Sequence, residues 1–316
     1  MRGVLVFDYE YWGNNTLPIT DNMAVEEYML DNSARKKVAT VRFWNVEKDA
    51  VVIGYGESKS NIKRFDSSFD FTRRITGGSH VQFDKNCLAY TFTVPRDGSF
   101  RHFDDMRKYY AEKIVDALVE LGMDDVFADN RASTINVGGK VMASHAMFWG
   151  VDSALMHGLM LIDHYDVDKL YERMILRDRK IGRSVYREYD ALKTAPVAKE
   201  LLFTDNVEIS RDRKAEYVKE KIAEKVLEEV TDGKYKSMAV SGIVVEAARR
   251  IVASAHTGKP WADERMPPYS SDQVEAIPGE ELAGELKKGL GYCMYIEVPD
   301  KDFSKMVEPA GENAKE

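Results

Sequence analysis

Cysteine is almost missing from this 316-residue chain, which has only Cys87 and Cys293. Two thiols build neither a disulfide framework nor a zinc ligand set, which fits a reducing compartment and predicts a cytoplasmic protein. Long apolar runs are missing as well: nothing approaches the roughly 18 uninterrupted apolar residues of a membrane helix. The apolar start over residues 4–7 meets Asp8 at once, so it reads as a first strand and not as a signal-peptide core. Positive charge is in deficit, with 45 Lys and Arg against 53 Asp and Glu and a formal net charge of -8. Non-specific attraction to nucleic acid or an anionic membrane is therefore not favoured, and the basic residues that matter have to act locally.

What is present is an ordinary globular composition, 44% hydrophobic, enough for a substantial core. The expected division is a catalytic domain over 1–235 and a small extension over 236–316. Stretches rich in β-branched and aromatic residues predict strands over 38–44, 50–54, 71–76, 88–94, 134–137, from 140, and over 155–162. Three- and four-residue apolar spacing predicts helices over 22–30, with Thr20 and Asp21 as N-cap, and over 104–121, stopped by Gly122. Further helices are expected over 166–174, 214–229 and 244–254, a proline-rich loop over 258–268, and a disordered tail over the last dozen residues. There is no internal repeat.

Two elements carry chemistry. The first is Arg73-Arg74-Ile75-Thr76-Gly77-Gly78-Ser79-His80-Val81-Gln82-Phe83-Asp84, which joins paired cations to a glycine turn. Glycines let backbone amides approach a ligand without a Cβ in the way, and arginine supplies a planar donor fork for phosphate or carboxylate. A plain hairpin turn flanked by a solvated arginine pair is the alternative. The second element is Ile135-Asn136-Val137-Gly138-Gly139-Lys140-Val141-Met142-Ala143-Ser144-His145, a hairpin signature in which Lys140 opens the returning strand. Taken alone, that lysine also fits an edge-strand charge that discourages sheet pairing.

Together with His157-Gly158-Leu159-Met160-Leu161, these elements resemble the lipoate-protein ligase family. Its motifs run approximately R-R-x-[ST]-G-G-G-A-V-x-H-D, then R-N-D-x-x-x-N-G-K-K-[IV]-S-G-S-A, then H-G-x-L-L. The likeness covers about residues 1–230 and includes the helix start Asn22-Met23-Ala24. It implies an α+β fold like that of biotin-protein ligases and class II aminoacyl-tRNA synthetases, with a mixed, largely antiparallel sheet and flanking helices. It also implies ATP-dependent activation of lipoate, or a similar medium-chain acyl acid, and transfer to a lysine of a lipoyl carrier domain. That carrier would be a 2-oxoacid dehydrogenase E2 or a glycine cleavage H-like protein.

On the resemblance, Lys140 is the catalytic cation, bonding both the acyl carbonyl and the adenylate phosphate. Arg74, Gly77, Gly78, Ser79, Val81, Ala143, Ser144 and His157 are substrate-binding, and Arg73 and Asp84 serve the nucleotide. The cofactors implied are ATP and a magnesium ion that neutralises its phosphates, with no metal held by the protein. Val81, Met142 and Ala143 are expected along an apolar slot. The chain departs from the pattern at Ser79 and His80, at Gln82-Phe83, and at Ala132-Ser133, where a carboxylate is lost.

Related octanoyl- and lipoyl-transferases use a cysteine thioester without ATP. Neither of their nucleophile positions is a cysteine here, and Ala154 stands three residues before His157. A degenerate homologue that binds an acyl ligand or a lipoyl domain without catalysis remains a second alternative. His145, His157, His164 and Asp163 have no metal-ligand spacing.

Overall fold

The computed structural model describes residues 7–55, 62, 67–78, 80–137, 140–163, 169, 172–174 and 211–255. The expected first strand, the short helix over 166–174, the proline-rich loop and the tail fall wholly or mostly outside these residues.

Among the described residues, eleven strands and four long helices follow one another in chain order. They are β1 (Tyr9–Leu17), α1 (Ile19–Lys36), β2 (Ala39–Val46), β3 (Ala50–Ile53), β4 (Asp70–Arg73), β5 (Val81–Phe83) and β6 (Cys87–Pro95). Then come α2 (Phe103–Glu120), β7 (Val126–Asp129), β8 (Thr134–Val137), β9 (Lys140–Trp149), β10 (Ser153–Leu161), α3 (Arg211–Thr231), β11 (Lys236–Ser237) and α4 (Gly242–Ala255). Eight strands form one sheet in the order β11-β1-β2-β6-β10-β9-β8-β7, and three form a second sheet in the order β4-β3-β5. In the large sheet β1 runs parallel to β2 and β11, and the other neighbours are antiparallel. The architecture is thus α+β on a mixed, largely antiparallel sheet, as expected.

Strand alternation divides the large sheet into two differently covered faces. One face supplies Val41, Phe43, Tyr90, Phe92, Ala154, Met156 and Met160 to the main core, closed by Tyr110 and Ile114 of α2 and Val218 and Ile222 of α3. The opposite face lies beneath α1 and the small sheet. Here a second apolar cluster joins Met23, Trp44, Val52, Phe83, Leu159 and Leu161.

Helix α1 buries a polar face. The sequence points to Met23, Tyr28 and Leu30, but the buried set includes Asn22, Glu26, Asn32 and Ser33, while Tyr28 and Leu30 are only half-buried. The helix also starts earlier than expected, at Ile19 after Pro18, and Asp21 is a first-turn residue instead of the cap. Its carboxylate takes a two-pronged ion pair from Arg249 of α4, both contacts at 2.7 Å. Helix α4 lies across the outer side of α1, where Val245 and Ala248 join Trp12, Ala24, Val25 and Met29. Residues 236–255 therefore pack on the first strand and helix of the chain.

Strand β1 escapes the sequence patterns because Gly13, at φ +73°, breaks its alternation where the register with β2 shifts between Tyr11 and Asn14. Strands β5 and β7 also go unread, at three and four residues each.

Candidate active site

The glycine motif leaves β4, turns, and returns as β5. Its turn is laid against the segment after β3: the Arg74 amide donates to the Ile53 carbonyl at 3.1 Å, and the Tyr55 amide donates to the Thr76 carbonyl at 2.9 Å. Gly54 and Gly78 make that contact possible. Gly78 has φ +88°, a conformation that L side chains rarely adopt, and a Cβ on Gly54 would overlap the Gly78 carbonyl. Gly77 is half-buried and Gly78 exposed. Among the described residues neither glycine's amide donates a hydrogen bond, so both can receive an anion.

Both arginines turn inward, onto the turn and the end of β3. Arg73, 1% exposed, donates through Nη1 to the carbonyls of Gly54 and Tyr55, each at 2.9 Å. Arg74 donates from Nε to Thr76 Oγ1 at 2.9 Å, from Nη1 to the Val52 carbonyl at 3.3 Å, and from Nη2 to the Gly77 carbonyl at 2.7 Å. Five donor contacts to the chain's own oxygens make the pair the frame of the turn.

Behind the turn lies the α1-covered face of the large sheet. Pairing places Arg42 opposite Thr91, Thr91 opposite His157, and Leu159 opposite Ser144, so these side chains share that face. His157 Nδ1 lies 2.6 Å from Glu26 Oε2 and Nε2 lies 2.7 Å from Thr76 Oγ1. Glu26 Oε1 accepts from Thr91 Oγ1 at 2.6 Å, and that hydroxyl accepts from Trp44 Nε1 at 3.0 Å. Arg42, fully buried, donates to Asn15 Oδ1 at 2.6 Å and Asn22 Oδ1 at 2.6 Å. Burial pushes its guanidinium down to about 9, and the charge of Glu26 opposes the shift, so it stays protonated at neutral pH.

Lys140 is exposed at the first position of β9, across from Val137. Gly138, Gly139 and Ser79 lie outside the described residues. Ser144 is on the face of His157, but Met142 and Ala143 are buried in the main core on the opposite face. The register of β8 with β9 shifts between Ile135 and Asn136, which leaves Met142 bulged and turns it with Ala143 beneath the helices. Only Val81 of the three expected slot residues reaches the second cluster, against which it is partly buried.

Asp84 serves the β5–β6 turn, accepting from the Asn86 amide at 2.8 Å and from Cys87 Sγ at 3.2 Å. Burial raises its carboxyl, against the lowering effect of those two bonds. The Cys87 thiol is raised well above its usual range, first by burial and then by the Asp84 charge. It is a protonated core group. Three of the departures from the family pattern are held by neighbours: Gln82 accepts from Arg173 at 3.0 Å, Phe83 stacks on Trp44 at 5.2 Å, and Ser133 Oγ accepts from Arg107 at 3.1 Å. In the turn before β8, Asp129 Oδ1 accepts from the Arg131 and Ala132 amides at 2.8 and 3.0 Å.

Glu26, Thr76 and Gly54 are the site residues that sequence reasoning misses. Glu26 carried a faint signal, an acid one helical turn from Asn22 and Met23 in a segment with an otherwise apolar face. Gly54 stood at the end of a predicted strand with no partner in view.

The fold and site define an α+β domain in which a glycine turn lies against a buried polar face. The chain belongs to the family of lipoyl protein ligase A/B catalytic domains, which it matches over residues 18–194. Lipoate–protein ligase 1 of Staphylococcus aureus is 26% identical over 175 residues, covering 53% of this chain and 50% of that protein. The chain thus spans about half the length of this curated relative. Two solved structures have the same fold. The structure of a bipartite lipoate protein ligase and its E2 lipoyl domain from Thermoplasma acidophilum aligns with TM-score 0.61 and 18% identity, over 82% of this chain and 97% of that one. Lipoate-protein ligase A bound with ATP aligns with TM-score 0.59 and 18% identity, over 81% and 98% of the two chains.

Proposed function

We propose that this chain activates lipoate, or a similar medium-chain acyl acid, with ATP and passes the acyl group to a lysine of a lipoyl carrier domain. Family membership supports the ligase class. One observation carries the reading further: the Gly77 and Gly78 amides, which donate to nothing among the described residues, belong to a turn framed by Arg73 and Arg74, an arrangement suited to a phosphate. Relatives in the same family bear names that include lipoate, ATP and an E2 lipoyl domain.

In the first step the acyl carboxylate attacks the α-phosphorus, the bond to pyrophosphate breaks, and acyl-AMP forms. The loop amides would hold the phosphate, and the exposed Lys140 ammonium would stabilise charge developing on the phosphate and on the acyl carbonyl. In the second step a carrier lysine attacks that carbonyl, a C–N bond forms, and AMP leaves. The acyl tail would lie against Val81 and the apolar cluster that holds Leu159 and Leu161. Magnesium would enter with ATP and neutralise its phosphates. A thioester route through Cys87 finds no support in a thiol kept buried and protonated. Incubation with ATP, magnesium, lipoate and an unmodified lipoyl domain is expected to add a lipoyl mass to the domain and release AMP. Absence of both products, and of transfer from preformed lipoyl-AMP, would exclude the ligase reading.

A further inference from the structure

His157 sits in the middle of an unbroken chain of short hydrogen bonds that runs from helix α1 to the glycine turn. Its two ring nitrogens are taken by Glu26 Oε2 at 2.6 Å and by Thr76 Oγ1 at 2.7 Å, and all three residues are buried, at 6%, 2% and 0% exposure. A carboxylate only accepts, so Nδ1 carries a proton and donates to Glu26. Thr76 Oγ1 already accepts from Arg74 Nε at 2.9 Å, which leaves its hydroxyl hydrogen free for Nε2. The neutral Nδ1–H tautomer therefore satisfies every member of the chain. A doubly protonated ring would bring a second donor to the Thr76 oxygen and leave the hydroxyl hydrogen in need of another acceptor.

Both ends of the chain are anchored. Glu26 is fixed on its other oxygen by Thr91, which Trp44 holds in turn, and the charge of Arg42 acts on it from β2. Thr76 is the residue before Gly77, and its carbonyl accepts from the Tyr55 amide at 2.9 Å. Its hydroxyl is completely buried and engaged by two groups, so it is placed to hold the turn and not to attack a substrate. Hydroxyl, imidazole and carboxylate here share the connectivity of a nucleophilic triad without its access to solvent.

We propose that Glu26, His157 and Thr76 form a clasp that sets the position of the glycine turn, with His157 acting on the reaction through Thr76 and not by touching the acyl acid or the nucleotide. The role deepens the acyl-adenylate reading and rests on it for its kinetic consequence. Its structural consequence stands alone, because the clasp is complete before any ligand binds. His157 is then a positioning residue, and its effect on turnover is the misplacement of the Gly77 and Gly78 amides.

The test compares Thr76→Val, which keeps shape and removes the hydroxyl, with Thr76→Ser, which keeps the hydroxyl, in the full chain. His157→Phe and the double variant complete a cycle, and His157→Gln supplies an amide that can both donate and accept. Two readouts are needed: amide hydrogen exchange at residues 74–78 without ligand, alongside melting temperature, and kcat and KM for ATP in acyl-AMP formation. With the fold intact, Thr76→Val should speed exchange at these amides about 10-fold and lower kcat/KM by about 10- to 100-fold, mostly through KM. Thr76→Ser should restore both. Thr76→Val together with His157→Phe should cost no more than the worse single change, because either one opens the same chain. Losses that multiply would give His157 its own contact with substrate and overturn the clasp, as would unchanged exchange in Thr76→Val. If His157→Phe does not fold, the valine and serine variants still decide. A wild-type protein that makes no acyl-AMP would sink the functional reading, while the exchange experiment would still judge the clasp.

Discussion

Gly54 and Gly78 meet backbone to backbone, and the carbonyl of Gly78 fills the space where a Cβ on Gly54 would stand. The turn cannot close on the strand end if Gly54 gains a side chain. Gly54→Ala should therefore displace the turn and reduce acyl-AMP formation by about 100-fold, the usual scale for a misplacement of about 1 Å. A loss of about 1–3 kcal/mol in urea unfolding should accompany it. Wild-type kinetics in this variant would show that the turn does not need the contact. Gly158→Ala is the comparison on the opposite side of the sheet, since its Cβ would overlap the Tyr90 ring. It should lower stability by a similar amount while leaving amide exchange at residues 74–78 unchanged in the folded protein.

His145 carries the main pH dependence expected of the fold. It lies beneath α2 with neither ring nitrogen hydrogen-bonded among the described residues. Burial pushes its pKa from 6.5 down to about 3, and the charge of Arg107 pushes the same way. Between those values the unfolded chain binds a proton that the folded chain does not, so stability is present above about 6.5 and declines as pH falls toward 3. The slope from this group is at most about 1.4 kcal/mol per pH unit. Urea unfolding at pH 5 and 7 should show it, and His145→Met should flatten the difference by up to one proton. An unchanged difference would place the dependence elsewhere.

Helix α4 should hold to α1 mainly through apolar contact. Arg249 is more than half exposed in its pair with Asp21, whereas Ala248 is fully buried among Trp12, Val25 and Met29. Ala248→Asp should expose residues 242–255 to limited proteolysis, because it leaves a carboxylate in an apolar contact. Arg249→Ala should change the cleavage pattern little. Equal sensitivity in both variants would make the ion pair the stronger tie.

Cys87 should be chemically silent. Its thiol is buried and held protonated, so an alkylating reagent applied at pH 8 should leave the Cys87 peptide unmodified in the folded protein. Rapid modification would overturn the assignment as a core thiol. Cys87→Ser should also keep ATP-dependent turnover, and complete loss combined with ATP-independent transfer would favour a thioester route.

The fold was legible where local pattern and tertiary role agree. Helix α2, with Tyr110 and Ile114 at helical spacing, follows the apolar periodicity because one covered face sets it, and strands β2, β6 and β10, buried on both faces, stand out as runs rich in β-branched and aromatic residues. The glycine turn, Lys140 and His157 stood out by residue type. What stayed hidden depends on partners distant in sequence. Glu26 reads as a solvated helix acid until His157, 131 residues later, arrives beside it. Arg73 and Arg74 read as ligands for an anion, but they donate to oxygens of β3, of the segment after it and of the turn. A one-residue bulge turned Met142 and Ala143 to the opposite face, and no spacing rule announces such a shift.

Formation of lipoyl-AMP in the absence of any carrier, followed with ATP labelled at the α-phosphate, bears most directly on the activity. Wild-type protein is expected to make lipoyl-AMP and release pyrophosphate. Lys140→Ala is expected to lose at least about 100-fold of that rate with an unchanged melting temperature, since an exposed strand lysine adds little to stability. Lipoyl-AMP formed by Lys140→Ala at the wild-type rate would contradict the role given to this lysine, and acyl transfer by the wild-type protein without ATP would contradict the adenylate itself.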